Sequence, residues 1–151
     1  MTGAHRSAHA AEAAARPGLL RRFAALVYDA LLLFAVLFAA TVPAVFVTGG
    51  EAVGPNHPAF TAYLFTVSYL YFGWCWTRSG QTLGMRAWRM RVRTREGEPL
   101  GWGRSLVRFT AAMVSIGAAG IGLLWVAFDR ERLSLHDRLS ATALETVSPR
   151  F

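Results

Sequence analysis

The sequence predicts an all-α membrane protein with three apolar helical segments and a small Arg-rich β-hairpin on the cytoplasmic side. The first observation is composition: hydrophobic residues make up 54% of the 151 residues and charged residues 17%, whereas about 25% of a typical soluble domain is charged. The second is charge spacing, which leaves three long stretches near the ~20 residues that a helix needs to cross a bilayer. We therefore place spans at about 23–47, 59–77 and 106–128.

These spans are expected to form one domain over residues 16–147. Residues 1–15 are rich in Ala and His without periodicity and are expected to be a disordered tail. Residues 78–105 are assigned to a cytoplasmic loop and 148–151 to a short C-terminal tail. The chain has one cysteine, Cys75, so an intrachain disulfide is excluded.

The distribution of arginine predicts the orientation, because Arg-rich loops remain in the cytoplasm. Arg16, Arg21 and Arg22 stand shortly before the first span. Residues 48–58 contain no arginine, while residues 78–104 contain seven. The N-terminus and the loop after the second span are therefore expected on the cytoplasmic side.

The third apolar segment leaves two alternatives open. A single crossing would put the tail outside, with Arg130, Arg132 and Arg138, which the same rule disfavours. The stretch GAAGIG at 117–122 could instead kink the segment or make it re-entrant, provided that protein shields the bend. We favour an internal tail.

An Arg-rich stretch at residues 88–95 has the period of two that is typical of a β-strand. Trp, Met, Val and Thr alternate there with four arginines, which we expect to face anionic lipid headgroups: Arg89, Arg91, Arg93 and Arg95. The stretch REGE at 95–98 then predicts a turn. The β-prone stretch TALETVS at 142–148 offers a strand partner if both lie on one side of the membrane. Otherwise each stretch is a polar loop.

Asp29 interrupts the first apolar segment, where a charged side chain costs roughly 2.5–3.5 kcal/mol at the centre of a bilayer. Its neighbours on the same helix face cannot hydrogen-bond to it through their side chains, so its partner must come from another element. We expect Arg108, or else Arg22, to neutralise it, and Asp137 to close the cluster if the tail returns. This cluster is either a structural clamp, which we favour, or part of a transport path.

The stretch GQTLG after the second span predicts a tight structural turn in which Thr82 caps a short helix. Its residues are Gly80, Gln81, Thr82, Leu83 and Gly84. The stretch lacks the lysine and spacing of a phosphate-binding loop. Because no nucleophile–base pair or metal-ligand spacing occurs either, we expect no enzyme activity, cofactor or metal.

Four stretches in order resemble the RDD family of small bacterial membrane proteins. They are RRFAALVYDALLL, WTRSGQTLGMRAWRMRV, LVRF and LHDRLSAT. The resemblance implies that Arg22, Asp29 and Asp137 are the residues for which the family is named. The Gly-Gln-Thr motif of the family often continues with Pro, Gly and Lys, where this chain has Leu83, Gly84 and Met85, and the family often has Gly where Ala141 stands.

The resemblance implies a multi-pass protein of the bacterial inner membrane and suggests transport. We expect a structural or accessory membrane component whose Arg/Asp cluster fixes helix packing. The alternative is a component of a proton- or cation-linked transporter that uses Asp29 as its titrating group. Expected partners are membrane lipids and either a second copy or a neighbouring membrane protein, but not nucleic acid, because the arginines lie between spans.

Overall fold

The computed structural model describes residues 17–51, 53–54, 57–117 and 133–147. The two predicted tails and most of the Gly-rich stretch 117–122 lie outside the described residues. Seven elements follow in chain order: five helices and two strands within the described part.

Helix α1 (Leu19–Val47) contains 29 residues and is therefore about 44 Å long at 1.5 Å per residue. It follows Pro17 and Gly18, and it ends at Thr48, where Gly49 and Gly50 adopt positive φ angles of 72° and 93°. This helix is long and apolar enough to cross a membrane, and its most apolar stretch is not buried by other parts of the protein. The first predicted span is thus a continuous helix with an uncovered apolar surface.

Helix α2 (Pro58–Arg78) forms where the second span is predicted and begins with a proline in its first turn. Among the described helices, however, only α1 combines the length and hydropathy needed to cross a bilayer. The sequence of α2 contains three Tyr and two Trp along with Ser, Thr and Gly, which lower its hydropathy without introducing charge. Three spans therefore remain a prediction.

Helix α3 (Leu83–Ala87) is a short turn after α2, and α4 (Trp102–Gly117) covers the first part of the third apolar segment. Helix α4 packs against α2 through aromatic contacts, with Tyr69 and Phe109 ring centroids 5.7 Å apart. The remainder of that segment lies outside the described residues. Helix α5 (Leu135–Leu139) packs back against α4.

Strand β1 (Met90–Thr94) pairs antiparallel with β2 (Thr142–Thr146), and Val92 lies opposite Leu144. The period-two pattern and the choice of residues 142–148 as partner are therefore confirmed. The predicted hairpin has the wrong connectivity. The turn after β1 does form, with Gly97 N donating to Thr94 O at 3.0 Å, but Pro99 follows it and lacks the N–H that a returning strand would need.

The core joins the helices to this sheet. It is one cluster of buried apolar side chains from both layers: Ala25, Trp76, Met90, Val92, Leu100, Phe109 and Leu144. Because α1, α2 and α4 meet the sheet through this cluster, polar side chains near one end of each helix are brought together.

Candidate functional site

Arg108 lies in α4 with its side chain buried. Its Nη1 donates to Asp137 Oδ1 at 2.5 Å and to Thr142 Oγ1 at 2.5 Å. Its guanidinium carbon is 5.4 Å from the ring centroid of Trp76, within the range of a cation–π interaction. One arginine therefore connects α4 to α5, β2 and α2.

Arg22 reaches the same carboxylate from α1. Its Nη1 donates to Asp137 Oδ2 at 2.8 Å, and its Nε donates to the Pro17 carbonyl at 3.1 Å. Both arginines are almost fully buried and Asp137 is completely so. We call Arg22, Asp137 and Arg108 the arginine clamp.

Asp137 is held in place by its own helix as well. The Ser134 backbone N–H and hydroxyl both donate to Asp137 Oδ2, at 3.0 and 2.6 Å, which forms a capping box at the start of α5. Burial alone would raise the pKa of Asp137. The neighbouring Arg108, His136 and Arg22 and the hydrogen bond from Ser134 together outweigh burial and hold the pKa of Asp137 well below its usual range.

His136 lies beside the clamp, with Nε2 3.0 Å from the Ser134 hydroxyl. Burial, followed by the positive charges of Arg108 and Arg22, lowers the pKa of His136 to about 4, and the opposing effect of Asp137 is smaller. The imidazole is therefore neutral at pH 7.

Asp29 lies outside the clamp, contrary to the prediction that Arg108 or Arg22 neutralises it. Its Oδ2 accepts from Thr82 Oγ1 at 2.5 Å and its Oδ1 accepts from Gly84 N at 2.9 Å. The physical reason lies in α1, where seven residues separate Arg22 and Asp29 by about 10 Å along the axis. The two side chains therefore lie at different positions along the axis of α1 and make separate contacts. We call Asp29, Thr82 and Gly84 the aspartate latch.

The latch depends on the turn motif after α2. Thr82 caps α3 as the sequence predicts, because its Oγ1 accepts from Met85 N at 3.1 Å. A Cβ on Gly84 would lie 2.5 Å from the Ala25 carbonyl oxygen and 2.8 Å from the Asp29 carboxylate. Only glycine therefore lets α3 approach α1 this closely.

The rest of the motif attaches to β1. Gly80 has a φ of 68°, and its carbonyl accepts from Val92 N at 2.7 Å. Gln81 Nε2 donates to the Met90 carbonyl at 2.7 Å. The turn thus links α1 to the sheet.

The four predicted lipid-facing arginines do not all belong to the strand. Arg91 and Arg93 lie in β1 and are half-buried, alternating with the buried Met90, Val92 and Thr94. Arg89 and Arg95 flank the strand and are exposed, and Arg89 has a positive φ of 53°. Two of the four therefore lie on one face of the sheet.

The described residues bring together no group of three or more His, Cys, Asp or Glu side chains that could hold a metal ion. Instead, the site consists of two separate polar clusters, each closed by protein groups. Together they define a helical protein that is fastened by buried carboxylates and that carries one helix long and apolar enough to cross a membrane. The chain belongs to the RDD family, whose model matches residues 16–141.

No curated protein and no solved structure matched in comparison. The three residues that the family resemblance singles out are divided between the two clusters. Arg22 and Asp137 are in the arginine clamp, and Asp29 is in the aspartate latch. Sequence analysis missed the partners of Asp29, although the Gln-Thr-x-Gly turn itself carried the signal.

Proposed function

We propose that this protein is a structural or accessory component of the bacterial inner membrane, in which the clamp and the latch fix the packing of the helices. The observation that carries this proposal is that both oxygens of Asp29 and both oxygens of Asp137 are engaged by protein groups. Carboxylates whose oxygens all accept hydrogen bonds from protein groups stabilise the fold. They have few remaining lone pairs with which to bind a transported ion.

The proposed topology has the N-terminus and residues 78–105 in the cytoplasm. The pairing of β1 with β2 supports a C-terminal segment on that same side, because paired strands cannot lie on opposite faces of a bilayer. The third apolar segment would then enter the membrane and return. On this topology the arginines around β1 would meet anionic headgroups, at roughly 1 kcal/mol for each residue near the surface.

Cysteine labelling tests the topology. In a Cys75→Ser background, single cysteines at Arg95 and Glu145 are expected to react with an impermeant maleimide only after the cytoplasmic side is opened. A cysteine at Glu51, in the loop after α1, should react from the outside. Labelling of positions 95 and 145 from opposite sides would overturn the proposed topology.

A transporter component is the second candidate, and the position of Asp29 in the wall of a cavity between α1, α2 and α4 favours it. An accessory role would instead require a second copy or another membrane protein as partner. Asp29→Asn separates the two roles. Loss of proton- or cation-coupled flux in proteoliposomes, with folding retained, supports transport.

A wild-type protein without flux, combined with an Asp29→Asn variant of reduced thermal stability, supports the structural role. Glu51→Gln is the matched control, because Glu51 is an exposed acid remote from the latch. It should change neither flux nor stability.

A further inference from the structure

A cavity of about 330 Å³ lies between the clamp and the latch. This volume falls within the range of about 300–1,000 Å³ that is typical of small-molecule sites. Most of its wall is apolar, and it includes the aromatic rings of Phe72, Trp76 and Phe109. Phe23 and Leu26 of α1 also line it and are exposed at the surface. The cavity therefore has an apolar interior, and part of its rim is formed by α1.

Among the described residues, four buried polar atoms in side chains of the cavity wall have no hydrogen-bond partner: Trp76 Nε1, Arg108 Nε, Ser115 Oγ and His136 Nδ1. Two of them, the indole N–H of Trp76 and the Nε–H of Arg108, are donors in residues that are at least nine-tenths buried. The two side chains contact each other, since the guanidinium of Arg108 lies over the Trp76 ring. Buried donors are almost always paired in folded proteins, so two such donors side by side point to an acceptor that binds there.

The charges around the cavity favour a neutral ligand. Counted by formal charge, Arg22 and Arg108 contribute two positive charges and Asp29 and Asp137 two negative charges, so the four buried groups balance. All but Asp137 line the cavity. An added carboxylate would leave one negative charge uncompensated in this apolar environment, which is costly.

We propose that this cavity binds a neutral, flat, lipophilic carbonyl compound of the quinone class, with a carbonyl oxygen accepting from Trp76 and Arg108. A flat ring suits a wall of Phe72, Trp76 and Phe109, because aromatic rings pack well in offset or edge-to-face contacts. Met85 and Met113 line the same cavity, and their polarisable thioethers favour contact with rings. The ligand enters from the bilayer past Phe23 and Leu26. The site goes beyond the structural role proposed above and does not depend on it.

The test uses radiolabelled menadione and the full-length protein in lipid nanodiscs, with binding measured by scintillation proximity. Wild-type protein should show saturable binding above that of empty nanodiscs. Trp76→Phe keeps an aromatic ring but removes the indole N–H. It should weaken binding about three- to tenfold, as expected for the loss of one hydrogen bond. Trp74→Phe is the matched control, because Trp74 is on the same helix but 57% exposed. Its affinity should equal that of the wild type.

A second variant, Ala112→Phe, fills the cavity from α4, where Ala112 lines the wall. It should abolish saturable binding while the protein remains monodisperse. Equal binding by wild type, Trp76→Phe and Ala112→Phe would overturn the proposal. Saturable binding of radiolabelled laurate without binding of menadione would also overturn it and would assign the cavity to an acyl chain.

Discussion

Asp137 Oδ1 lies 2.5 Å from Nη1 of Arg108, although 29 residues and an apolar stretch separate the two in sequence. The same carboxylate accepts from Arg22, 115 residues away. One acid thus holds the first helix, the fourth helix and the C-terminal segment at a single point. Asp137 is therefore the position at which we expect a substitution to reduce stability most.

Asp137→Asn should be the most damaging conservative substitution in the chain. It removes the negative charge between two buried guanidinium groups, and breaking a buried ion pair in this way costs about 3–5 kcal/mol. Thermal unfolding in detergent, followed by tryptophan fluorescence, should show the loss. Glu96→Gln breaks the ion pair of Glu96 with Arg104, in which both side chains are about half-exposed or more, and it should leave the unfolding midpoint almost unchanged.

Gly84→Ala tests the close approach of α3 to α1. The added Cβ would meet the backbone oxygen of Ala25 at 2.5 Å, so the helices would have to separate and the latch would open. We expect a loss of about 3 kcal/mol in the free energy of unfolding, typical of overpacking a rigid site. Gly103→Ala places its Cβ in open space and should be neutral or slightly stabilising. Equal stability of the two variants would contradict the latch.

Thr82→Val removes the hydroxyl but keeps the shape. It deprives Asp29 of one donor and α3 of its cap, which together should cost about 2–4 kcal/mol. Thr82→Ser restores the hydroxyl and should recover most of the stability. Thr61→Val is the control, because the exposed Thr61 hydroxyl bonds only to the His57 carbonyl of its own helix start. Chemical denaturation of the purified proteins would rank the three variants.

Ala141→Gly should stabilise the protein. Ala141 has a φ of 50°, and it directly follows the C-cap of α5, a position where glycine is favoured. Relief of the left-handed conformation should raise the free energy of unfolding by about 0.5–1 kcal/mol. Ala143→Gly should have the opposite effect, because Ala143 is buried in β2 with ordinary strand geometry. A decrease in the unfolding midpoint for Ala141→Gly would contradict this account.

His136 should make stability fall in mild acid. Its pKa is about 4 in the folded protein, against 6.5 without the fold, so between these values the unfolded chain binds a proton that the folded chain excludes. The free energy of unfolding should therefore decrease as the pH falls from about 6.5 to about 4, by up to about 3 kcal/mol from this group. The contribution of Asp137 is lost only at lower pH, because its pKa is depressed below 3.8.

The measurement is the unfolding midpoint as a function of pH for wild type and His136→Gln. The variant lacks the titrating imidazole and should show a flatter profile between pH 4 and 6.5. Parallel profiles for the two proteins would exclude His136 as the source of the acid sensitivity.

Local periodicity was sufficient to predict the sheet. Alternation around Met90 and Val92 identified β1, and β-prone residues near Leu144 identified its partner. The hairpin was not correct, because an antiparallel pair can be closed by a distant segment as well as by the adjacent turn. Residue patterns located both strands of the sheet, whereas the turn after β1 wrongly suggested that they belong to one hairpin.

The partners of Asp29 show a different limit. Charge complementarity favoured an arginine, yet a carboxylate is also satisfied by hydroxyl and backbone donors, which sequence composition does not reveal. Thr82 was correctly identified as a helix cap, but its second bond to Asp29 depends on how α1 packs against α3. That packing in turn requires the missing side chain of Gly84, a requirement visible only in three dimensions.

The antiparallel pairing of β1 with β2 sets an order of events during synthesis. Residues 90–94 leave the ribosome about fifty residues before their partner, and Arg22 leaves more than a hundred residues before Asp137. Until Asp137 is translated, Arg22 and Arg108 do not have the carboxylate that they share in the folded protein. Formation of the arginine clamp is thus a ring closure, in which a segment translated much later secures the first helix through Asp137.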